Sequence, residues 1–163
     1  MQYIRITKEF KFEMAHALSG HDGPCRHIHG HSYELYVTIK GMPLNDPTSP
    51  KNGMVMDFSD LKKIVKSSIV DRFDHALVLN SKHKDTFCGT GEELFEKIIW
   101  VNFQPSSENL LVYFAETLKP LLPTGVSLYS LKLRETVTSF AEWYADDNEW
   151  VVDDNEWYAD DNE

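Results

Sequence analysis

Five of the seven histidines, His16, His21, His27, His29 and His31, fall between residues 16 and 31, and Cys25 lies among them. The other two are His75 and His83. A lone histidine is more often a surface or hydrogen-bonded residue than a ligand. This density shifts the balance toward metal binding. His29 and His31 are two apart at the start of a strand-like run, so both rings can point to one side. His16 stands just past the end of an earlier alternating run, and pairing the two runs would bring it alongside. Three neutral imidazoles with one open position suit a catalytic Zn²⁺, although iron, nickel and copper accept the same donors. His27 is also two residues from His29, and spacing alone does not choose between them.

Cys25 precedes His29 by four residues and has two readings. As a fourth ligand it would close the site and make it structural. As a free thiolate, favoured by nearby positive charge including Arg26, it would be a general base beside a Lewis acid. Asp74 and His75 follow a helical stretch, where the plainer reading is a histidine placed favourably at a helix end. Glu135 continues a face of core leucines, and a buried acid is costly without a partner. A ligand offering paired N–H donors would supply one.

These groups need elements to position them. Ile4, Ile6, Phe10 and Phe12 alternate with mostly polar residues over 3–13, and Tyr33, Leu35, Val37 and Ile39 do so over 33–40. Both runs predict half-buried strands. From Asp57 the period lengthens: Leu61, Ile64, Val65 and Ile69 share a helical face, with Asp57 or Ser59 as N-cap. A second helix is expected from Ser106 or Ser107, with Glu108 in its first turn, a stripe of Leu110, Leu111, Phe114 and Leu118, and Pro120 and Pro123 beyond. Thr90 and Glu93 match a capping box and predict a short helix near 91–98. Alternation returns over 126–135, with Tyr129, Leu131 and Leu133 on one face, and a last strand is expected over about 139–145. The order strand, strand, helix, helix, strand, strand indicates an α+β fold with helices on one face of an antiparallel sheet.

The chain has 163 residues and a formal net charge of −10. Ten acids and no Lys or Arg fall in residues 142–163, which leaves residues 1–141 with 16 acids against 16 bases. The acidity therefore belongs to the tail. Glu-Trp-Tyr-Ala-Asp-Asp-Asn-Glu at 142–149 recurs at 156–163. The expectation is one catalytic domain over 1–148 and an acidic repeated extension over 149–163. No basic cluster with interleaved aromatics points to nucleic acid, and no apolar run is long enough for a membrane span or has the form of a signal peptide. A soluble, cytoplasmic protein with Cys25 and Cys88 as reduced thiols is expected, Cys88 being structural.

Phe-Glu-Met-Ala-His16 and Cys25-Arg-His-Ile-His29-Gly-His31-Ser-Tyr resemble the signature of the 6-pyruvoyl-tetrahydropterin synthase family and its bacterial 6-carboxytetrahydropterin synthase branch. Val55-Met-Asp-Phe58, Phe73-Asp-His-Ala-Leu77, Ser106-Ser-Glu-Asn-Leu110 and Leu133-Arg-Glu-Thr136 extend the likeness over about residues 3–145. The resemblance implies Zn²⁺ held by His16, His29 and His31. It implies Cys25 as catalytic thiolate outside the metal's ligands, with a proton relay of Asp74 and His75 contributed by a neighbouring subunit. Glu135 would anchor the pterin, and Ser106, Ser107 and Glu108 would line its pocket. The fold implied is the tunnelling fold, a four-stranded antiparallel sheet with two main helices, assembled into barrels and a homohexamer.

The substrate implied is 7,8-dihydroneopterin triphosphate. One branch eliminates triphosphate and gives 6-pyruvoyltetrahydropterin. The other also breaks a carbon–carbon bond, giving 6-carboxytetrahydropterin and acetaldehyde for queuosine synthesis. The short span from His16 to Cys25 resembles the second. Three features depart from the family pattern: a longer 80–105 segment, Ser106-Ser107 in place of a threonine pair, and the tail repeat. Two further readings compete. A zinc-stabilised binding module would use Cys25 as fourth ligand, and a zinc hydrolase would use Glu135 as base.

Overall fold

The computed structural model describes residues 2–87 and 97–148. Six strands form one sheet: β1 (Ile4–His16), β2 (His29–Gly41), β3 (Ala76–Asn80), β4 (Lys97–Val101), β5 (Val126–Arg134) and β6 (Phe140–Tyr144), in the order β4-β3-β1-β2-β5-β6. The helices are α1 (Phe58–Val65), α2 (Asp71–Phe73), α3 (Ser107–Leu118) and α4 (Ala145–Asn148). The expected α+β class holds, and β1, β2, β5 and β6 make the expected antiparallel sheet. No helix among the described residues is long and apolar enough to cross a membrane.

Two strands were not expected. β3 pairs parallel to β1 through Ala76–Val78, and β4 pairs parallel to β3. Ala76 through Leu79 are all buried, so β3 carries no polar alternation to betray it. The helix expected near 91–98 is corrected at its end: Lys97 and Ile98 are strand residues opposite Ala76 and Leu77. Ile98, Ile99, Trp100 and Val101 favour a pleated surface. Thr90, Glu93 and Cys88 lie outside the described residues, as does the acidic extension over 149–163.

Both long strands run further than alternation predicted. β1 continues to His16 and β2 begins at His29, because histidines occupy core-face positions that aliphatic side chains hold elsewhere. Thirteen residue pairs join these strands, ending with Phe12 opposite Tyr33, Met14 opposite His31 and His16 opposite His29. On the β5 side a bulge opposite Thr38 and Ile39 shifts the register. Leu128 therefore enters the core, while the expected core residue Tyr129 turns out and meets Arg5 at 3.8 Å.

Leu35, Leu131, Leu133 and Phe12 on the sheet pack against Leu61, Val65 and Ile69 and against Leu110, Phe114 and Leu118 of α3. Asp57 caps α1, accepting the Ser59 N–H at 2.7 Å. The single expected helix is interrupted after Val65: residues 66–70 form a π-helical turn before α2. Ser67 and Ser68 donate back to the carbonyls of Lys63 and Ile64, which accommodates the wider turn. The opposite sheet face carries Thr7, Tyr36, Thr38, Lys132, Arg134 and Glu142, which line an open depression.

Candidate metal centre and the groups around it

Antiparallel pairing places His16 directly across from His29, and His31 follows two residues on along the same face. The ring centroids lie 4.6 Å (His16–His29), 5.3 Å (His16–His31) and 4.9 Å (His29–His31) apart. One nitrogen from each ring falls within 4.8 Å of the other two. The outer nitrogens are already engaged. His16 Nδ1 meets the Pro105 carbonyl at 2.7 Å, and His29 Nδ1 meets the His27 carbonyl at 2.7 Å. With Nδ1–H donating in each, the Nε2 lone pair is left facing inward, the arrangement that orients metal-bound histidines.

His16 Nε2 and His31 Nε2 are buried and have no hydrogen-bond partner. Leaving two buried polar nitrogens unpaired is costly, and a cation between the three rings removes that cost. The donor set fits a metal. Burial is the main cause holding His16 and His31 below the usual imidazole value, and the neighbouring imidazoles add to it, while Glu135 opposes it. Both rings are therefore neutral and ready to ligate near pH 7. His27 is not part of this group. Its ring accepts from Arg26 Nε at 3.1 Å, and it serves the cluster through its carbonyl.

The depressed values carry a pH consequence for the metal-free protein. Well above pH 6.5 neither folded nor unfolded state holds the protons, so the shift has no effect. As pH falls through that value the unfolded chain takes up protons first, and stability declines until the depressed folded values are passed. Thermal melting of the metal-free protein at about pH 7.5 and about pH 5.5, above the ordinary carboxylate range, is expected to give a lower midpoint at the acid end. An unchanged or higher midpoint would mean the buried rings take protons readily.

Glu135 sits one residue past β5 and reaches the same space. Its Oε1 accepts from the Tyr33 hydroxyl at 3.1 Å and lies 3.5 Å from His16 Nε2 and 3.7 Å from His31 Nε2. Tyr33 is wholly buried, and burial followed by the Glu135 charge pushes its phenol far above the usual range. It is a fixed donor at neutral pH. Sequence reasoning passed over Tyr33 as a packing residue. The available signal was its position on the His29–His31 face, directly beside the β5 face that leads to Glu135.

Ser106 caps α3, accepting from Asn109 N–H at 3.4 Å, and Glu108 lies exposed in the first turn. Ser107 is buried beside the Tyr33 hydroxyl, and its Oγ completes no good hydrogen bond. Because Pro105 immediately precedes this cap, the α3 start is tied directly to His16. Cys25 is a free thiol, partly buried, in a single helical turn from Pro24 to Arg26. Its carbonyl accepts from Leu18 N–H at 2.9 Å, and its sulfur is close enough to influence the Tyr33 hydroxyl electrostatically. Among the described residues the set of clustered donors is the three histidines without that sulfur.

Residues 5–146 match the profile of a family described as 6-pyruvoyl tetrahydropterin synthase. The chain belongs to this family. It is 39% identical over 142 residues to the 6-carboxy-5,6,7,8-tetrahydropterin synthase of Haemophilus influenzae, covering 86% of this chain and 98% of that one. Its fold matches the 6-pyruvoyl tetrahydropterin synthase of Caenorhabditis elegans at a TM-score of 0.62 and 27% identity, over 88% of this chain and 96% of that one. An uncharacterized protein of Wolinella succinogenes shares the fold at a TM-score of 0.70 and 22% identity, over 89% and 99% of the two chains.

The remaining pair expected from the family likeness, Asp74 and His75, sits between α2 and β3. Asp74 Oδ1 accepts the Glu13 N–H at 2.9 Å and Oδ2 lies 3.1 Å from His75 Nδ1. Burial works against ionisation of Asp74, but the Glu13 N–H and His75 outweigh it and hold the carboxyl below its usual value. His75 takes φ of 56°, a left-handed conformation uncommon for a non-glycine residue, fixed by its N–H to the Glu13 carbonyl at 2.6 Å. Its ring is 71% exposed and borders an open depression lined by Glu13, Met14, Ala15, Gly30, His31 and Ser32.

Proposed function

We propose that the protein is a zinc-dependent lyase that converts 7,8-dihydroneopterin triphosphate to 6-carboxy-5,6,7,8-tetrahydropterin, acetaldehyde and triphosphate, serving queuosine synthesis. The observation that carries the reading is the trio of imidazoles with two buried, unpartnered Nε2 atoms turned into one space. The Haemophilus influenzae relative bears the name of the carboxy-forming enzyme and is matched almost end to end.

His16, His29 and His31 would hold Zn²⁺, which supplies Lewis acidity toward the substrate's side-chain hydroxyls. Cys25 takes a side-chain proton as thiolate. Glu135, oriented by Tyr33, accepts paired N–H bonds from the pterin ring and so fixes the reacting carbons in place. Ser106, Ser107 and Glu108 border that ring at the start of α3. Asp74 orients His75, which returns protons as the triphosphate and then the two-carbon fragment leave.

The relay of Asp74 and His75 is supplied to Cys25 by a second copy. An assembly of subunits into barrels, with a homohexamer as the complete unit, provides such neighbours. The catalytic unit is residues 1–148, and the extension 149–163 takes no part. A free Cys25 requires a reducing compartment, which agrees with the cytoplasm.

Incubating zinc-loaded protein with 7,8-dihydroneopterin triphosphate should release acetaldehyde in step with triphosphate. Triphosphate without acetaldehyde would assign the pyruvoyl-forming branch instead, and an unconsumed substrate would overturn the lyase reading. Tyr33→Phe removes the hydroxyl that orients Glu135 and should weaken pterin binding by about tenfold, an effect of one hydrogen bond to a charged group. Zinc content should not change. Equilibrium binding of 7,8-dihydroneopterin, followed by its fluorescence, measures this, and wild-type affinity would remove Tyr33 from the positioning role.

A further inference from the structure

We infer that the hollow between the β1–β2 connection and the segment after β3 is a polyphosphate subsite, with Arg26 as its principal cation. The inference rests on the lyase reading above, since it assigns part of that substrate to this surface.

The hollow is lined by Ala17, Ser19, Arg26, His27, Asn80 and His83, among others, and no carboxylate lines it. It begins one residue beyond His16 and reaches Ile28, one residue before His29. A group covalently linked to hydroxyls at the imidazole cluster therefore meets this surface next.

Hydrogen bonding inside the hollow uses up acceptors and leaves donors. His27 Nε2 accepts from Arg26 Nε at 3.1 Å, so the His27 N–H sits on Nδ1, and both terminal NH₂ groups of Arg26 keep their protons for a ligand. Asn80 Oδ1 accepts the Lys82 N–H at 3.0 Å, which leaves the Asn80 NH₂ unused. The Ser19 carbonyl is taken by Gln104 Nε2 at 2.9 Å, and the Ser19 hydroxyl is held at 2.5 Å from His83 Nε2. A surface rich in N–H donors and poor in free acceptors selects an oxyanion over a neutral or cationic group. The segment bearing His83 also carries Lys82 and Lys84 against the single acid Asp85, whereas residues 1–141 as a whole balance acids and bases.

Arg26 offers a planar fork that matches phosphate geometry in a way lysine does not. Five histidines in sixteen positions exceed what three ligands require. His27, one of the two left over, finds a use in this hollow, where His83 joins it.

The test uses inorganic triphosphate as a competitive inhibitor of the zinc-loaded enzyme, alongside equilibrium binding of unphosphorylated 7,8-dihydroneopterin. Arg26→Ala should raise the inhibition constant of inorganic triphosphate about tenfold or more, the loss of a charge-assisted hydrogen-bonding group. His83→Ala should raise it less, and Arg26→Lys should recover part of the affinity. Dihydroneopterin binding and zinc content should stay at the wild-type level in all three, with melting curves verifying the fold. If the wild type turns over substrate while Arg26→Ala and His83→Ala keep its inhibition constant, the subsite is overturned and the lyase reading stands. If the wild type neither binds dihydroneopterin nor consumes its triphosphate, the lyase reading falls and the subsite falls with it.

Discussion

Cys25→Ala is expected to abolish turnover of 7,8-dihydroneopterin triphosphate while zinc remains bound. The thiol stands outside the clustered nitrogens, so its removal leaves the ligand set of His16, His29 and His31 untouched. It also leaves the fold intact, because what ties the Pro24–Arg26 turn in place is the Cys25 carbonyl accepting from Leu18, a main-chain contact that alanine keeps. What would be lost is the proposed base. Positioned proton transfer contributes roughly 10²–10⁴-fold, and the expected loss in kcat lies in that range with substrate affinity little changed. Single-turnover assays with metal analysis on the same samples measure both quantities. A variant that keeps its rate would favour a hydrolase with Glu135 as base. One that loses zinc in proportion to activity would make the sulfur a ligand and the site structural.

The second large effect concerns His16, which is 1% exposed and joins two parts of the molecule. Its Nε2 faces His29 and His31, while its Nδ1 holds the Pro105 carbonyl at the start of α3. His16→Ala removes one of three ligands and strands that carbonyl. Loss of an outer-shell partner alone costs metal sites about 10–100-fold in affinity, and loss of a ligand should exceed this. Zinc content after dialysis should fall close to zero, and activity should fall with it. Melting should also drop, because metal binding contributes to folding stability and the α3 tether is gone. His27→Ala is the control. Its ring lies outside the cluster and its carbonyl survives, so zinc should be retained. A His16→Ala protein that keeps zinc, or a His27→Ala protein that loses it, would show the ligand set to be wrong.

The contrast between these two histidines shows what could and could not be read in advance. Both are two residues from a true member of the cluster or lie within the same short stretch, and their side chains are chemically identical. The strand pairing separates them: His29 begins β2 opposite His16, whereas His27 lies before the strand and turns its ring toward Arg26. The same pairing sets Tyr33 beside Glu135, a contact between residues 102 apart in sequence. β3 escaped notice for a related reason. A strand covered on both faces has no alternation, so its burial pattern exists only once its neighbours are in place.

The amino-acid sequence alone determined the α+β class, the two long strands, both main helices with two candidate caps for each, and the residue types able to hold a metal. These are local properties, set by side-chain periodicity and by hydrogen bonds spanning a few residues. Tertiary structure alone decided which imidazoles converge, which carboxylate reaches them, and that Cys25 stays outside the cluster. Those outcomes depend on strand register and on which face of the sheet a residue occupies. A shift of one position reverses the face, and only the packed molecule fixes that choice.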